Sequence, residues 1–312
     1  MRTFPRWVAT YLPIVLVSTF LTYGLGALSH TSPAAAVLGD TATEADIVRM
    51  NHQFGLDRPF LLQYAHWLSG VLHGDLGRSW FTGIPVWQSV SQRLPVDLAL
   101  AVAAVLLSVL LGGLAGTAAA VRRGGRLDRA ITVLCAAFTS VPAFVVGIGL
   151  VVLFAVILHL LPSLGYVSPL VSPGQWLRHL ILPALALSLE PAVAVARQLR
   201  TSLVGELQQN YVTGAVVRGL APGRVLVVHV LRNAAGPALT VLGNMIPSLI
   251  GGAIVTETVF ALPGLGQLAL GSAQQRDVPV VQGVLLVTSA LVVLSNLAVN
   301  AALVRLRPAA GR

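Results

Sequence analysis

Apolar residues along this chain gather into six long runs separated by short polar stretches, and the runs exceed the length of ordinary core helices. A hydrocarbon layer about 30 Å thick takes roughly 20 residues of apolar helix. Stretches 7–28, 96–121, 130–161, 180–196, 236–256 and 280–303 meet or approach that length. The third is long enough to tilt or to carry an interfacial end. Pro142 is expected to bend it, because proline removes a backbone donor and crowds the preceding turn. The fourth is the least regular, with Pro183, Glu190 and Pro191 inside it. The pattern predicts an all-α integral membrane protein with six transmembrane helices and one transmembrane domain over 1–312.

Between the first two runs lies the one large external segment, 29–95, where Asp40, Glu44, Asp46, Asp57 and Asp75 mix with aromatics and glycines. Its periodicity predicts short amphipathic helices over 44–54 and 59–72, with "HGDLGRS" as a glycine-punctuated turn. Arg2 and Arg6 before the first run, and Ala34 to Ala36 after it, resemble the parts of a signal peptide. The run is longer than a typical signal core, so a retained anchor is expected.

Composition sharpens the picture. The chain is 55% hydrophobic and 10% charged, with a mean hydropathy of +0.81, values of a polytopic membrane protein. All 20 basic residues are arginine. Without lysine there is no Walker A phosphate loop of the usual kind, so ATP would have to be handled by a partner. Fourteen arginines fall near the N-terminus, in "RRGGRLDR", in 197–232 and at the C-terminus, against six in the alternate connections. That bias, with an even number of spans, places both termini in the cytoplasm. The net charge of +9 is therefore a topology signal, and no nucleic acid is expected. The lone Cys135 excludes an intrachain disulfide and reads as a small buried hydrophobe.

No HExxH, GxSxG or paired-carboxylate motif is present, so no catalytic residues are assigned. His52, His66 and His73 lack the spacing of a metal set and read as surface residues, so no metal site is assigned. Gly112 and Gly116 form a small-xxx-small pair that predicts close helix packing.

The polar interruption between the fourth and fifth runs, 197–235, carries a different signal. Residues 211–220 have helical spacing from Tyr211 and end at "GLAPG". Gly214, Ala215 and Gly219 leave part of this short helix nearly bare, while Val212, Val216 and Leu220 offer apolar contacts, a pattern suited to docking. The segment "YVTGAVVRGLAPGRVLVVHVLRNAAGP" resembles the cytoplasmic coupling loop of binding-protein-dependent ABC transporter permeases, a pattern of E-A-A, three residues and glycine. Here Thr213 stands at the Glu position, Gly214 and Ala215 at the two Ala positions, and Gly219 at the glycine. The missing Glu points to the peptide-type branch. Residues 55–100, from "GLDRPF" to "VDLAL", and "ETVFALPGLGQL" at 257–268 are similar to segments of dipeptide, oligopeptide and nickel permeases. The resemblance covers nearly the whole chain in order.

It implies a type I ABC importer permease fold in a bacterial inner membrane. It further implies a homologous second permease, two ATPase subunits that hold ATP and Mg, and an extracytoplasmic substrate-binding protein. The chain itself would bind no cofactor and hydrolyse nothing. Coupling to the ATPase would fall to Tyr211, Val212, Gly214, Ala215, Val216, Gly219 and Leu220. Cargo would be dipeptides or oligopeptides, with nickel or another small molecule as the alternative. Glu190, a carboxylate costing about 2.5–3.5 kcal/mol at a helix centre, is expected to face a cavity or a partner. It would line the path and attract a peptide's cationic end, serve as a structural carboxylate, or act as the coupling carboxylate of an ion-driven secondary transporter. Glu257, Pro263, Gly264 and Gly266 belong to a stretch that cannot continue a helix, read either as an element near a gate or receptor or as a plain turn.

Overall fold

The computed structural model describes residues 4–27, 33–39 and 42–306. Arg2, Asp40, Arg307 and Arg312 lie outside them. Helices dominate, and the described residues contain one isolated β-bridge, between Arg78 and Pro85. In chain order the helices are α1 (Phe4–Ala27), α2 (Pro33–Leu38), α3 (Glu44–Phe54), α4 (Phe60–Leu72) and α5 (Val86–Val121). They continue with α6 (Arg126–Ser140), α7 (Ala143–Leu150), α8 (Pro173–Leu207), α9 (Asn210–Val217) and α10 (Pro222–Arg224). The last are α11 (Leu231–Gly251), α12 (Ala253–Phe260), α13 (Leu265–Gln274) and α14 (Val278–Leu306). Wider π-helical turns extend α7 over Val151–Ile157 and join α10 to α11 over Val225–Val230.

Four stretches are long and apolar enough to cross a membrane: Val86–Val121, Pro173–Leu207, Pro222–Gly251 and Val278–Leu303. Two helix pairs, α6 with α7 and α12 with α13, are bent at a short break, and counting each pair as one span gives six. The expected span 130–161 is thus two helices. Val141 is extended, as a residue before proline prefers, and α7 departs from α6 at 105°. The expected span 236–256 crosses the junction between α11 and α12, and 180–196 is the middle of a 35-residue helix. In the first segment the apolar helix covers Tyr11–Gly26.

The chain divides into two compact units, Met1–Asp97 with Pro263–Val293 and Leu98–Leu262 with Leu294–Arg312. In the first, α3 begins with a reciprocal cap, Thr43 against Asp46, and ends where Gly55 takes the left-handed conformation (φ 71°) that a side chain disfavours. Leu76, Val86, Val90, Leu265, Val280 and Val284 form its core. Buried Gln282 donates to the Thr19 carbonyl at 2.9 Å, and the Thr19 and Tyr64 hydroxyls bond at 2.9 Å, so α1, α4 and α14 share one polar link. Asp277, 3% exposed, accepts from the Ser79 hydroxyl and from Trp80 N–H at 3.0 Å, which pins the loop before α5 to the start of α14.

In the second unit, α8 is the central element, packed by α6, α7, α11 and α12. Ser172 caps it and Pro173 occupies its first turn, where a missing N–H costs nothing. Gly112 and Gly116 of α5 meet it backbone to backbone: a Cβ at Gly112 would lie 2.5 Å from the Ala192 carbonyl oxygen, and one at Gly116 2.6 Å from that of Ala196. The Ser108 hydroxyl bonds the Ser188 carbonyl at 3.0 Å along the same seam.

One ion pair ties α6 to α8. Asp128, in the first turn of α6 ahead of its apolar residues, accepts a two-pronged contact from Arg200 (2.6 and 2.7 Å) and the Gly124 N–H at 2.8 Å. The Arg200 bonds first, and the Gly124 N–H second, hold its carboxyl down from 3.8 to about 2. A carboxylate with a depressed folded pKa contributes stability above its unfolded pKa and loses it as pH falls through the folded one. Between about pH 4 and pH 2 the solubilised protein should therefore lose melting temperature. Asp128→Asn should start lower at neutral pH and change less across that window, as thermal melts at stepped pH would measure.

Candidate functional site

The element singled out by the polar interruption is built from its own caps. Only 208–209 and 218–221 depart from helix between α8 and the run that leads into α11, so the expected loop 197–235 is mostly helical. Gln209 is extended and starts α9. At the other end Gly219 N–H donates to the Val216 carbonyl at 2.9 Å and Leu220 N–H to that of Ala215 at 3.2 Å. Gly219 has φ 83°, so this is a left-handed glycine cap. Its glycine is required by backbone geometry; a Cβ there would meet nothing within 4 Å.

The seven residues expected to dock divide into two sets. Val212 and Ala215, 8% and 4% exposed, are packed inside the protein with Leu199, Leu203, Val225 and Val230, and Leu220 rests against the same cluster. Their expected role as outward contacts is corrected: at spacing i, i+3 they form the underside that holds α9 in place. Tyr211, Val216 and Gly219 are exposed and Gly214 is half-buried. Val217, which the sequence reading passed over, is the most exposed apolar side chain of the helix at 81%. The Tyr211 hydroxyl donates to Glu206 of α8 at 2.7 Å and accepts from Asn233 of α11 at 3.3 Å. Burial and the Glu206 carboxylate raise its pKa, which keeps the donor protonated at neutral pH. The result is a short platform fixed to two long helices, with an apolar outer face.

Glu190 is the middle residue of the 35-residue α8. It is exposed and lines a cleft of 280 Å³ with the α6–α7 elbow (Phe138, Thr139, Ser140, Val141, Pro142). Glu257 is in a different environment, 1% exposed inside the second unit on α12. The stretch after it ends α12 by a device the sequence did not reveal. Ala261, not a glycine, is left-handed (φ 52°), and Leu262 N–H returns to the Glu257 carbonyl at 2.9 Å. Pro263 is exposed, Gly264 is extended and buried, and Gly266 lies within α13, so its expected role as a helix breaker is corrected. The cleft that Glu190 lines does not include Glu257. His52, His66 and His73 are exposed.

Asp97 is a further residue that sequence reading missed. Gly264 has no side chain to cap α13, and the Asp97 carboxylate of α5 takes that place, accepting Leu265 N–H at 2.8 Å. Asp97→Ala should destabilise the protein by about 1–2 kcal/mol, the usual loss for a removed N-terminal cap, measurable as a lowered denaturation midpoint.

Two family models match this chain. Residues 1–101 match the N-terminal model of binding-protein-dependent transport system membrane components, and residues 108–312 match the binding-protein-dependent transport system inner membrane component. The chain belongs to that family. It is 40% identical, over 97% of its length and 96% of the relative's, to a probable peptide ABC transporter permease of Sinorhizobium fredii. A putative peptide transport system permease of Brucella abortus is 39% identical over 94% of this chain and 93% of its own. The dipeptide transport system permease of Escherichia coli K12 is 33% identical over 95% and 94%. Among solved structures, a chain of the inward-facing MetNI methionine ABC transporter aligns with a TM-score of 0.56 at 18% identity, covering 70% of this chain and 95% of that one. That likeness carries the fold alone, the type I importer permease fold. The chain is a multi-pass inner-membrane permease subunit of an ABC importer, a transport component and not itself an enzyme.

Proposed function

We propose that this subunit is one of two paired permeases in a peptide importer and that α9 is its coupling helix, seated on an ATPase subunit that holds ATP and Mg. The observation that carries the coupling role is the division of α9 into a buried underside and an open apolar outer face ending at Val217. A helix so anchored passes an imposed displacement to α8 and α11 through Tyr211 and the core beneath it. The arginine bias supports a cytoplasmic position for this face and for both termini. At about 1.5 Å per residue α8 spans roughly 50 Å, well beyond the hydrocarbon thickness, so its end beside α9 emerges from the membrane. ATP binding and receptor docking would then bias an equilibrium between inward-facing and outward-facing states. A homologous permease completes the pathway, and an extracytoplasmic binding protein delivers cargo.

Peptide cargo is favoured by the names of relatives matched over nearly their whole length. The test is uptake by vesicles containing the assembled complex and its receptor, with labelled dipeptide set against a nickel chelate. ATP-dependent dipeptide uptake is the expected result. Nickel uptake without dipeptide uptake would overturn the cargo, and uptake that ignores ATP would overturn the coupling.

A further inference from the structure

We infer that the cleft between the α6–α7 elbow and the middle of α8 recognises an ammonium group of the cargo, with Glu190 as its anionic anchor. The inference rests on the proposal that this chain lines half of a translocation pathway, and it adds a chemical class to a site that pathway would contain.

Glu190 stands at the midpoint of a helix long enough to cross the membrane. An ionised carboxylate there costs about 2.5–3.5 kcal/mol against lipid, so such a residue faces a cavity or a partner. Among the described residues it has neither an ion-pair partner nor a hydrogen-bond donor, and the ion pairs Arg49–Asp46 and Arg200–Asp128 join other residues. The nearest candidates in the cleft are already committed. The Thr139 hydroxyl donates to the Cys135 carbonyl at 2.8 Å and the Ser140 hydroxyl to that of Ala136 at 3.2 Å. The carboxylate is therefore left facing the cleft with no proton donor from the opposite wall.

That wall adds negative potential of its own. Helix α6 ends there, so the negative end of its dipole points into the cleft. Pro142 has no N–H to offer the Phe138 carbonyl four residues back, which leaves an acceptor at the break. The ring of Phe138, 39% exposed, lines the same space and offers a face to a cation. Glu190 is the only ionisable side chain among the lining residues. Carboxylate, helix C-terminus and aromatic ring all select for positive charge, and an anionic group would find no donor. At 280 Å³ the space is below the range of about 300–1,000 Å³ that encloses whole ligands, so it takes one end of a cargo. An α-ammonium and a lysine side chain share the required chemistry.

Two measurements test this on the complete complex. In the first, solubilised complex is treated with dicyclohexylcarbodiimide, an apolar carboxyl reagent, and modification of Glu190 is followed by mass spectrometry in the presence of millimolar peptides. Ala–Ala with a free amine should slow labelling at least ~3-fold, and N-acetyl-Ala–Ala should not. N-acetyl-Ala–Lys amide distinguishes the source of the cation, protecting only if a side-chain ammonium suffices. Equal labelling with all three, or no labelling of Glu190 at all, would overturn the inference. In the second, vesicle uptake of Ala–Ala is compared for the parent and Glu190→Gln, with receptor-stimulated ATPase activity measured in parallel. Uptake should fall ~10-fold, the scale of a lost charge-assisted hydrogen bond, with ATPase stimulation intact. Unchanged uptake would overturn the Glu190 role and leave the importer proposal standing. Absent ATPase stimulation in the parent would overturn both. Uptake in vesicles lacking ATPase subunits, driven by an ion gradient and abolished by Glu190→Gln, would make Glu190 an ion-coupling residue and overturn the inference.

Discussion

Gly116→Leu should lower the stability of this permease by about 3 kcal/mol or more, the upper end of what overpacking costs, and Gly112→Leu should do the same. Side-chain neighbours can rotate away from an intruding Cβ, but here the nearest atoms are backbone. The Gly116 Cβ would lie 2.6 Å from the Ala196 carbonyl oxygen and 3.1 Å from the Ala196 Cα, and that of Gly112 2.5 Å from the Ala192 carbonyl oxygen. Relief requires α5 and α8 to separate, which would also break the buried Ser108–Ser188 bond. Gly113→Ala is the control, because a Cβ there meets nothing within 4 Å. It should be neutral or gain up to about 1 kcal/mol of helix propensity. Denaturation midpoints of the solubilised protein decide the matter: equal midpoints for Gly116→Leu and Gly113→Ala would mean that the two helices do not touch along this seam.

Val217→Glu should leave the subunit folded and uncouple it. At 81% exposed, Val217 contributes little to its own fold, and surface substitutions of this kind stay within about 0.5 kcal/mol. Against a partner the new carboxylate must be desolvated without a counter-ion, at a cost of several kcal/mol. Recovery of ATPase subunits with the permease, and ATP-driven uptake, should each fall at least ~10-fold. Val212→Glu should give the opposite signature. Its side chain sits among Leu199, Leu203 and Val225, so an unpaired charge there prevents α9 from seating and the protein should fail to accumulate. If Val217→Glu transports normally, the outer face of α9 is not where the ATPase docks.

Much of this arrangement was legible in the sequence because its causes are local. Gly219 at a helix end and Gly112 four residues before Gly116 each act within one or two turns. Pro142 announced a break, though the 105° between α6 and α7 depends on how both pack against α8. The buried side of α9 was not legible. Val212, Ala215, Val216 and Val217 make the helix apolar nearly all round, so periodicity alone cannot say which face turns inward. Nor could the acidic residues be placed. Asp128, Asp97 and Asp277 reach partners 72, 168 and up to 198 residues away, and no spacing rule extends so far. Three acidic side chains in an apolar chain look like candidates for chemistry, and all three are spent on backbone donors, a serine hydroxyl or an arginine. Glu190, without such a partner among the described residues, stays available to the cleft it lines.

Single cysteines along α9 test the central claim most directly. Cys135, the one native cysteine and itself buried, is first replaced by serine. A cysteine at Val217 should then cross-link to an ATPase subunit in the working complex, while one at Ala215, 4% exposed, should not. Capture from neither position, in vesicles that still drive ATP-dependent uptake, would contradict the account.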